Sequence, residues 1–247
     1  MPAIQSPPIL QIVEVLGPAE QGKSIPFKCI AEDGLIYYVK GQQTNRASLW
    51  REWICAHLAQ AFGLALPPFS LVQMDDALLA ELDPQWRVIG RLPAFGSRAH
   101  ASASWLELGM ASLVPKAVQR DVLAFDWWVH NTDRLRGNPN LLWDADKESL
   151  VVIDHNLALA TDFDGQEFLD GHVFSGQWAS ISGDLVVQAE YGLRMSDALV
   201  AATLAIEQAP EEWLWENSEF DLPAKFDCDR ALRVLSRCAT DELWRTV

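Results

Sequence analysis

The sequence predicts an α+β chain with a sheet-rich front and a helical rear, an order from which two lobes sharing a cleft follow. Three observations carry this. Short apolar runs over residues 10–40 read as strands, two later segments carry apolar residues at helical spacing, and the chain from residue 185 onward reads as mostly helical. With 247 residues, 49% of them hydrophobic and 11 of them Trp, the chain can bury a substantial core, which argues against disorder.

The front begins with "LQIVEVL", "PFKCI" and "LIYYVK", three strands of a small antiparallel meander, the last two joined by "AEDG", whose Asp-Gly is a hairpin signal. Between the first two lies "GPAEQGKSI", where two glycines and a Ser allow backbone N–H groups to approach an anion; an ordinary flexible connection has the same composition. After the polar turn "GQQTNRA" comes "SLWREWICAHLAQAFGL", a helix on which Trp50, Trp53, Ile54, Leu58, Ala61 and Phe62 recur. Ser48 can cap its start and Gly63 ends it. "ALPPFSLVQM" follows as a Pro-initiated strand, and residues 75–105 carry no clear pattern.

The rear opens with "KAVQRDVLAFDWWVHN", a buried helix with Val118, Val122, Phe125 and Val129 on one stripe, widened by Leu123 and Trp128. It delivers the polar segment "HNTDRLRGNPNLLW". "NLLW" and "LVVID", separated by "DADKES", should pair as a hairpin, and breaks near Pro210 and Pro223 divide the helices beyond.

Lys and Arg number 19 against 34 Asp and Glu, a net charge of −15 that disfavours direct nucleic-acid binding and anionic membrane surfaces. Cys29, Cys55, Cys228 and Cys238 lack zinc-site spacing and read as free thiols. No signal peptide and no apolar run of 18 residues is present, so a cytoplasmic protein with no membrane partner is expected.

Three polar residues end apolar elements: Lys40, Asp133 and Asp154. Singly, each also reads as a solvated end or a turn former. Symmetric pairing of the hairpin would set 143 opposite 151 and 140 opposite 154, bringing Asp154 to the loop asparagines, an oxygen-rich pair suited to Mg²⁺. Asp133 would lie beside that metal, where it could take a proton from a hydroxyl nucleophile. Glu52, twelve residues after Lys40, could pair with it and aim its ammonium at a phosphate; the alternative is a Glu on the polar flank of its helix.

A Lys, a helical Glu, an Asp-x₄-Asn loop and a strand-terminal Asp resemble the phosphotransfer set of the protein-kinase-like superfamily. More narrowly, "NTDRLRGNPNLLW" with "VVIDHNLAL" resembles the HipA-like kinases and, more distantly, the phosphatidylinositol kinases; "REWICAHLAQAFGLALPP" is similar to a helix of that family. The resemblance implies a two-lobed kinase-like domain with an N-lobe over 1–100 and a C-lobe over 101–247. It implies ATP and Mg²⁺ as cofactors and an acceptor, expected to be a protein Ser or Thr hydroxyl. Asp133 would be the catalytic base, with Asn138 and Asp154 on the metal and Asn140 as a second candidate. Lys40, partnered by Glu52, would contact the ATP phosphates, and Gln21, Gly22, Lys23 and Ser24 would form the phosphate-covering loop, although no G-x-G-x-x-G is present. "FGSRAHAS" would supply the lobe connection and the adenine-contacting backbone.

The chain departs from the pattern at Leu135, where related loops often carry His, so that a charged neighbour of the transferred phosphate is either absent or replaced by Arg134 or Arg136. "DHN" replaces Asp-Phe-Gly. "TDFDGQ" lacks most of a calcium loop's ligand series, and His155 and His172 read as structural. Competing readings are a nucleotide-binding pseudokinase acting as an interaction module, and transfer of phosphate or AMP to a lipid or small molecule.

Overall fold

The computed structural model describes residues 8–19, 25–100 and 102–245. The chain divides into two compact units: Met1–Trp53 with Pro67–Ala101 and Glu207–Phe226, and Ile54–Leu66 with Ser102–Ile206 and Asp227–Val247. It is mixed α+β, sheet first and helices after. No helix among the described residues is long and apolar enough to cross a membrane.

In the first unit the strands are β1 (Ile9–Pro18), β2 (Phe27–Ala31) and β3 (Ile36–Lys40), then β4 (Phe69–Gln73) and β5 (Ala94–Arg98). They close into a barrel in the order β1-β2-β3-β5-β4, antiparallel except where β1 meets β4. Closure removes the unpaired edges that a three-stranded meander would expose. Alternating side chains point inward: Phe27, Cys29 and Ala31 from β2 and Tyr37 and Val39 from β3 join Ile12, Val15 and Val72 in one core. The β2–β3 turn holds Gly34 at φ 76°, and Asp33 accepts bonds from Leu35 N–H and from the Tyr37 hydroxyl, both 2.8–2.9 Å.

Helix α1 (Arg46–Phe62) begins three residues earlier than the Ser48 cap implies. Asn45 is the capping residue: its Oδ1 accepts from Ser48 N–H at 2.8 Å, so Ser48 lies inside the first turn. At the far end Leu64 N–H reaches Ala59 C=O and Gly63 N–H reaches Gln60 C=O, with Gly63 at φ 92°, a Schellman closure that favours Gly. The patternless stretch holds α2 (Asp76–Glu81), a 3₁₀ turn at Arg87–Ile89, β5, and β6 (Ala103–Trp105). Its elements are too short for periodicity to register. Trp213, from the return segment, donates to Pro93 C=O at 2.7 Å and accepts on its own carbonyl from the Trp50 indole at 2.9 Å.

The second unit holds α3 (Lys116–Trp128), β7 (Leu141–Asp144), β8 (Ser149–Val152), α4 (Gly165–Gly171), α5 (Ala179–Ser182), α6 (Leu185–Gln208) and α7 (Cys228–Ser236). The β7–β8 hairpin forms with a different register from the symmetric one. Leu141 faces Val152 and Trp143 faces Leu150, so Asn140 lies opposite Ile153 instead of Asp154. The turn explains the shift: Asp144 Oδ1 accepts from Asp146 and Lys147 N–H, and Asp144 pairs with Ser149 around a four-residue loop.

From Val122 to Trp128 every residue of α3 is buried, including Asp126, so the apolar stripe of the sequence is a fully enclosed half-helix. The indoles of Trp127 and Trp128 stay satisfied by donating to the carbonyls of Leu243 and Leu235. Helix α6 buries Tyr191, Met195, Ala198, Ala202 and Ala205, one stripe at three- and four-residue spacing. Its Arg194 lies over the Phe62 ring at 4.2 Å and pairs with Asp121.

Candidate active site

The first unit carries Lys40 and Glu52. Lys40 is the last residue of β3 and Glu52 sits in the second turn of α1; the Lys40 Nζ donates to Glu52 Oε1 in an ion pair with both side chains buried. Gly41 keeps this strand end close to the 3₁₀ turn, since a Cβ there would meet the Ile89 carbonyl at 2.3 Å. Gln21, Gly22, Lys23 and Ser24 lie outside the described residues.

The second unit carries the acidic set. Helix α3 closes with Asn131 N–H on Asp126 C=O and His130 N–H on Trp127 C=O, the same closure as α1 but with His130 at φ 52° where α1 has Gly. The His130 ring stacks on Phe163 with centroids 4.0 Å apart. Burial, reinforced by Arg237, holds its pKa down at about 3, so it is neutral. Immediately beyond, Asn131 Oδ1 accepts from Asp133 N–H at 3.4 Å, turning the chain so that Asp133 follows the helix end at a defined angle.

Asp133 and Asn140 meet directly. Asn140 Nδ2 donates to Asp133 Oδ2 at 3.0 Å and to the Asp133 carbonyl at 3.2 Å, leaving the amide oxygen as the Asn140 atom able to ligate a cation. Asn140 is buried, with φ 48°. Its carbonyl accepts from Ile153 N–H at 3.3 Å, which brings the backbone preceding Asp154 to the same place. Asp154 itself has φ 60°, a left-handed conformation that turns the chain off the line of β8. Asn138, five residues after Asp133, is only half buried; its N–H closes a tight turn on Leu135 C=O. The structure thus brings together Asp133, Asn140 and the start of the Asp154 loop, and sets Asn138 on the turn before them.

Arg134 does not reach outward to supply charge beside a phosphate. It is buried, its Nε donates to Asp126 Oδ2 at 2.5 Å, and its Nη1 lies 3.2, 2.6 and 3.3 Å from the carbonyls of Pro139, Asn140 and Ile153. Asp126 also accepts from Asn131 Nδ2 at 2.8 Å and from His172 Nε2 at 3.0 Å. His172 Nδ1 accepts from Phe174 N–H, which assigns the proton to Nε2, and burial lowers the pKa of this imidazole. Burial alone would raise the Asp126 carboxyl, but the Arg134 guanidinium and the His172 hydrogen bond outweigh it and hold it down to about 2. Arg136 is exposed and donates to Ser175 Oγ. Sequence reasoning missed this buried cluster, although Asp126 is the one charged residue in the apolar run 122–129, where an acid needs a partner.

Among the described residues no group of three or more His, Cys, Asp or Glu side chains could form a metal cage. Asp133, Asn140 and Asp154 are oxygen donors of the kind a hard cation takes when phosphates and water complete its shell. Asp164 N-caps α4 through Glu167 N–H, which accounts for the "TDFDGQ" acid without calcium.

A search of curated protein sequences finds no match. In fold the chain is similar to the crystal structure of a Helicobacter pylori proinflammatory kinase, CtkA, with a TM-score of 0.55 at 10% identity over 94% of this chain and 95% of that one. It is similar also to the Golgi casein kinase, with a TM-score of 0.56 at 9% identity over 95% of this chain and 70% of that one. A second Golgi casein kinase structure, with Mn/ADP bound, has a TM-score of 0.54 at 9% identity over 95% and 71% of the two chains. The family model for HipA-like kinases matches residues 12–247. A kinase-like fold and a family match over almost the whole length lead to one conclusion: this chain belongs to the HipA-like kinases, a family of phosphotransferases.

Proposed function

We propose that the protein is an ATP- and Mg²⁺-dependent kinase that transfers the γ-phosphoryl group to a protein Ser or Thr hydroxyl. The observation that carries this reading is the Asp133–Asn140 contact, tied through Ile153 to the loop that begins with Asp154. Asp133 accepts the proton of the acceptor hydroxyl as it attacks. Asn140 and Asp154 hold the metal, with Asn138 the ligand that family spacing would prefer. A bound Mg²⁺ neutralises charge on the phosphates and orients them. Lys40, fixed by Glu52, contacts the ATP phosphates as a point charge. The capture of Mn and ADP by a protein of the same fold supports nucleotide and divalent metal as ligands. The Ser/Thr acceptor rests on family resemblance alone.

Incubation with γ-labelled and, separately, α-labelled ATP tests the reading. Label from γ and not from α should appear on protein, and Asp133→Ala should reduce transfer by about 10²–10⁴-fold, the range for loss of a general base. Label from α would redirect the assignment to AMP transfer. Nucleotide binding without any turnover would mark an interaction module instead.

A further inference from the structure

We infer that Arg134 is a positioning residue for the metal side of the site, and that Asp126, Asn131 and His172 exist in this fold to hold its guanidinium in place. The inference rests on the kinase reading above and adds the device that sets the ligand geometry. Asn140 ends the catalytic loop and Asp154 begins another; thirteen residues and a hairpin turn separate them along the chain, from 141 to 153. Their main chains meet at one guanidinium nitrogen, because Arg134 Nη1 lies within 3.3 Å of the carbonyls of Pro139, Asn140 and Ile153. Nη2 faces His155 Nε2 at 3.4 Å, in the residue directly after Asp154. One planar group therefore touches residues on both sides of the candidate metal.

Three further features fit a positioning role. Arg134 is adjacent to Asp133, so any rotation of its backbone moves the base. Asn131 bonds both to the Asp126 carboxylate and to Asp133 N–H, which links the same cluster to the base from the other side. Asn140 and Asp154 both occupy left-handed backbone conformations, which persist only where surrounding bonds over-determine them. A charge with this little exposure is also costly to keep unless its geometry has a use, since an apolar pair of similar size is often as stable. A Lys at 134 could keep the ion pair with Asp126 but has no planar fork to reach both loops at once.

The test uses Mn²⁺ and ADP, read by titration calorimetry, so that turnover is not needed. At a temperature where folding is verified by circular dichroism, Arg134→Lys should bind Mn²⁺·ADP about 10–100-fold more weakly than the wild type, the usual consequence of losing the groups that orient metal ligands. ADP affinity without metal should be unchanged. Asn131→Ala, which removes two bonds and leaves the ion pair intact, covers the event that Arg134→Lys does not fold; its metal-dependent affinity should fall in the same direction. Folded variants with wild-type Mn²⁺·ADP affinity would overturn the inference and reduce the cluster to core packing. Wild-type protein that binds ADP no better with Mn²⁺ than without would instead defeat the kinase reading itself, and Asp154→Ala serves as the control that separates the two results.

Discussion

The two units each bury an ion pair, and the pairs are built differently. Lys40–Glu52 joins a strand end to a helix through two side chains, the pair on which the proposed phosphate contact of Lys40 depends. Asp126–Arg134 is buried as completely, yet the Arg spends its donors on main-chain carbonyls and the Asp gathers His172 and Asn131. Burial of a charge therefore does not reveal its task. The partners differ: Lys40 Nζ meets the Glu52 carboxylate, whereas the Arg134 guanidinium meets three main-chain carbonyls as well as the Asp126 carboxylate.

Breaking each pair should separate the two roles. Glu52→Gln removes the anion that aims Lys40, and should lower kcat/KM for ATP by about 100-fold, the cost of a misplaced contact. Steady-state kinetics at varied ATP would show this; an unchanged value would mean that Lys40 does not depend on Glu52. The second pair should reveal itself in acid stability. Asp126 is held down to about 2, against an ordinary value of 3.8. Its contribution is fully present above pH 4 and is lost as the pH falls towards 2, amounting to about 2 kcal/mol by linkage. Urea unfolding of the wild type between pH 2 and 5 should fall more steeply than that of Asp126→Asn, and parallel curves would argue against a carboxylate held by Arg134.

The same contrast explains what could be read from the amino acids alone. Lys40 ends a strand and Glu52 lies within a helix, both elements whose pattern has a period, so their elements announced them. The barrel closure did not, because β1 meets β4 with Ile9 opposite Leu71, far apart in the chain, and no local pattern encodes that pairing. Asp133, Asn138, Asn140 and Asp154 were visible as a polar loop and a strand end, but their relative placement depended on the hairpin register. One residue of shift, set by the Asp144 turn, moved Asn140 from Asp154 to Ile153. Arg134 reads from sequence as a candidate charge beside the phosphate because its partner Asp126 lies 8 residues before it, and the other partner of Asp126, His172, lies 46 residues beyond Asp126. His172 could not be assigned to that cluster from spacing.

Spacing and geometry disagree most sharply over the two asparagines. Mn²⁺·ADP affinity should be measured for Asn140→Ala and Asn138→Ala side by side. If the metal side of the site is the contact set built by Asp133, Asn140 and the Asp154 loop, Asn140→Ala will lose about 10-fold or more of that affinity while Asn138→Ala stays near wild type. The reverse order, with Asn138→Ala impaired and Asn140→Ala intact, would contradict it.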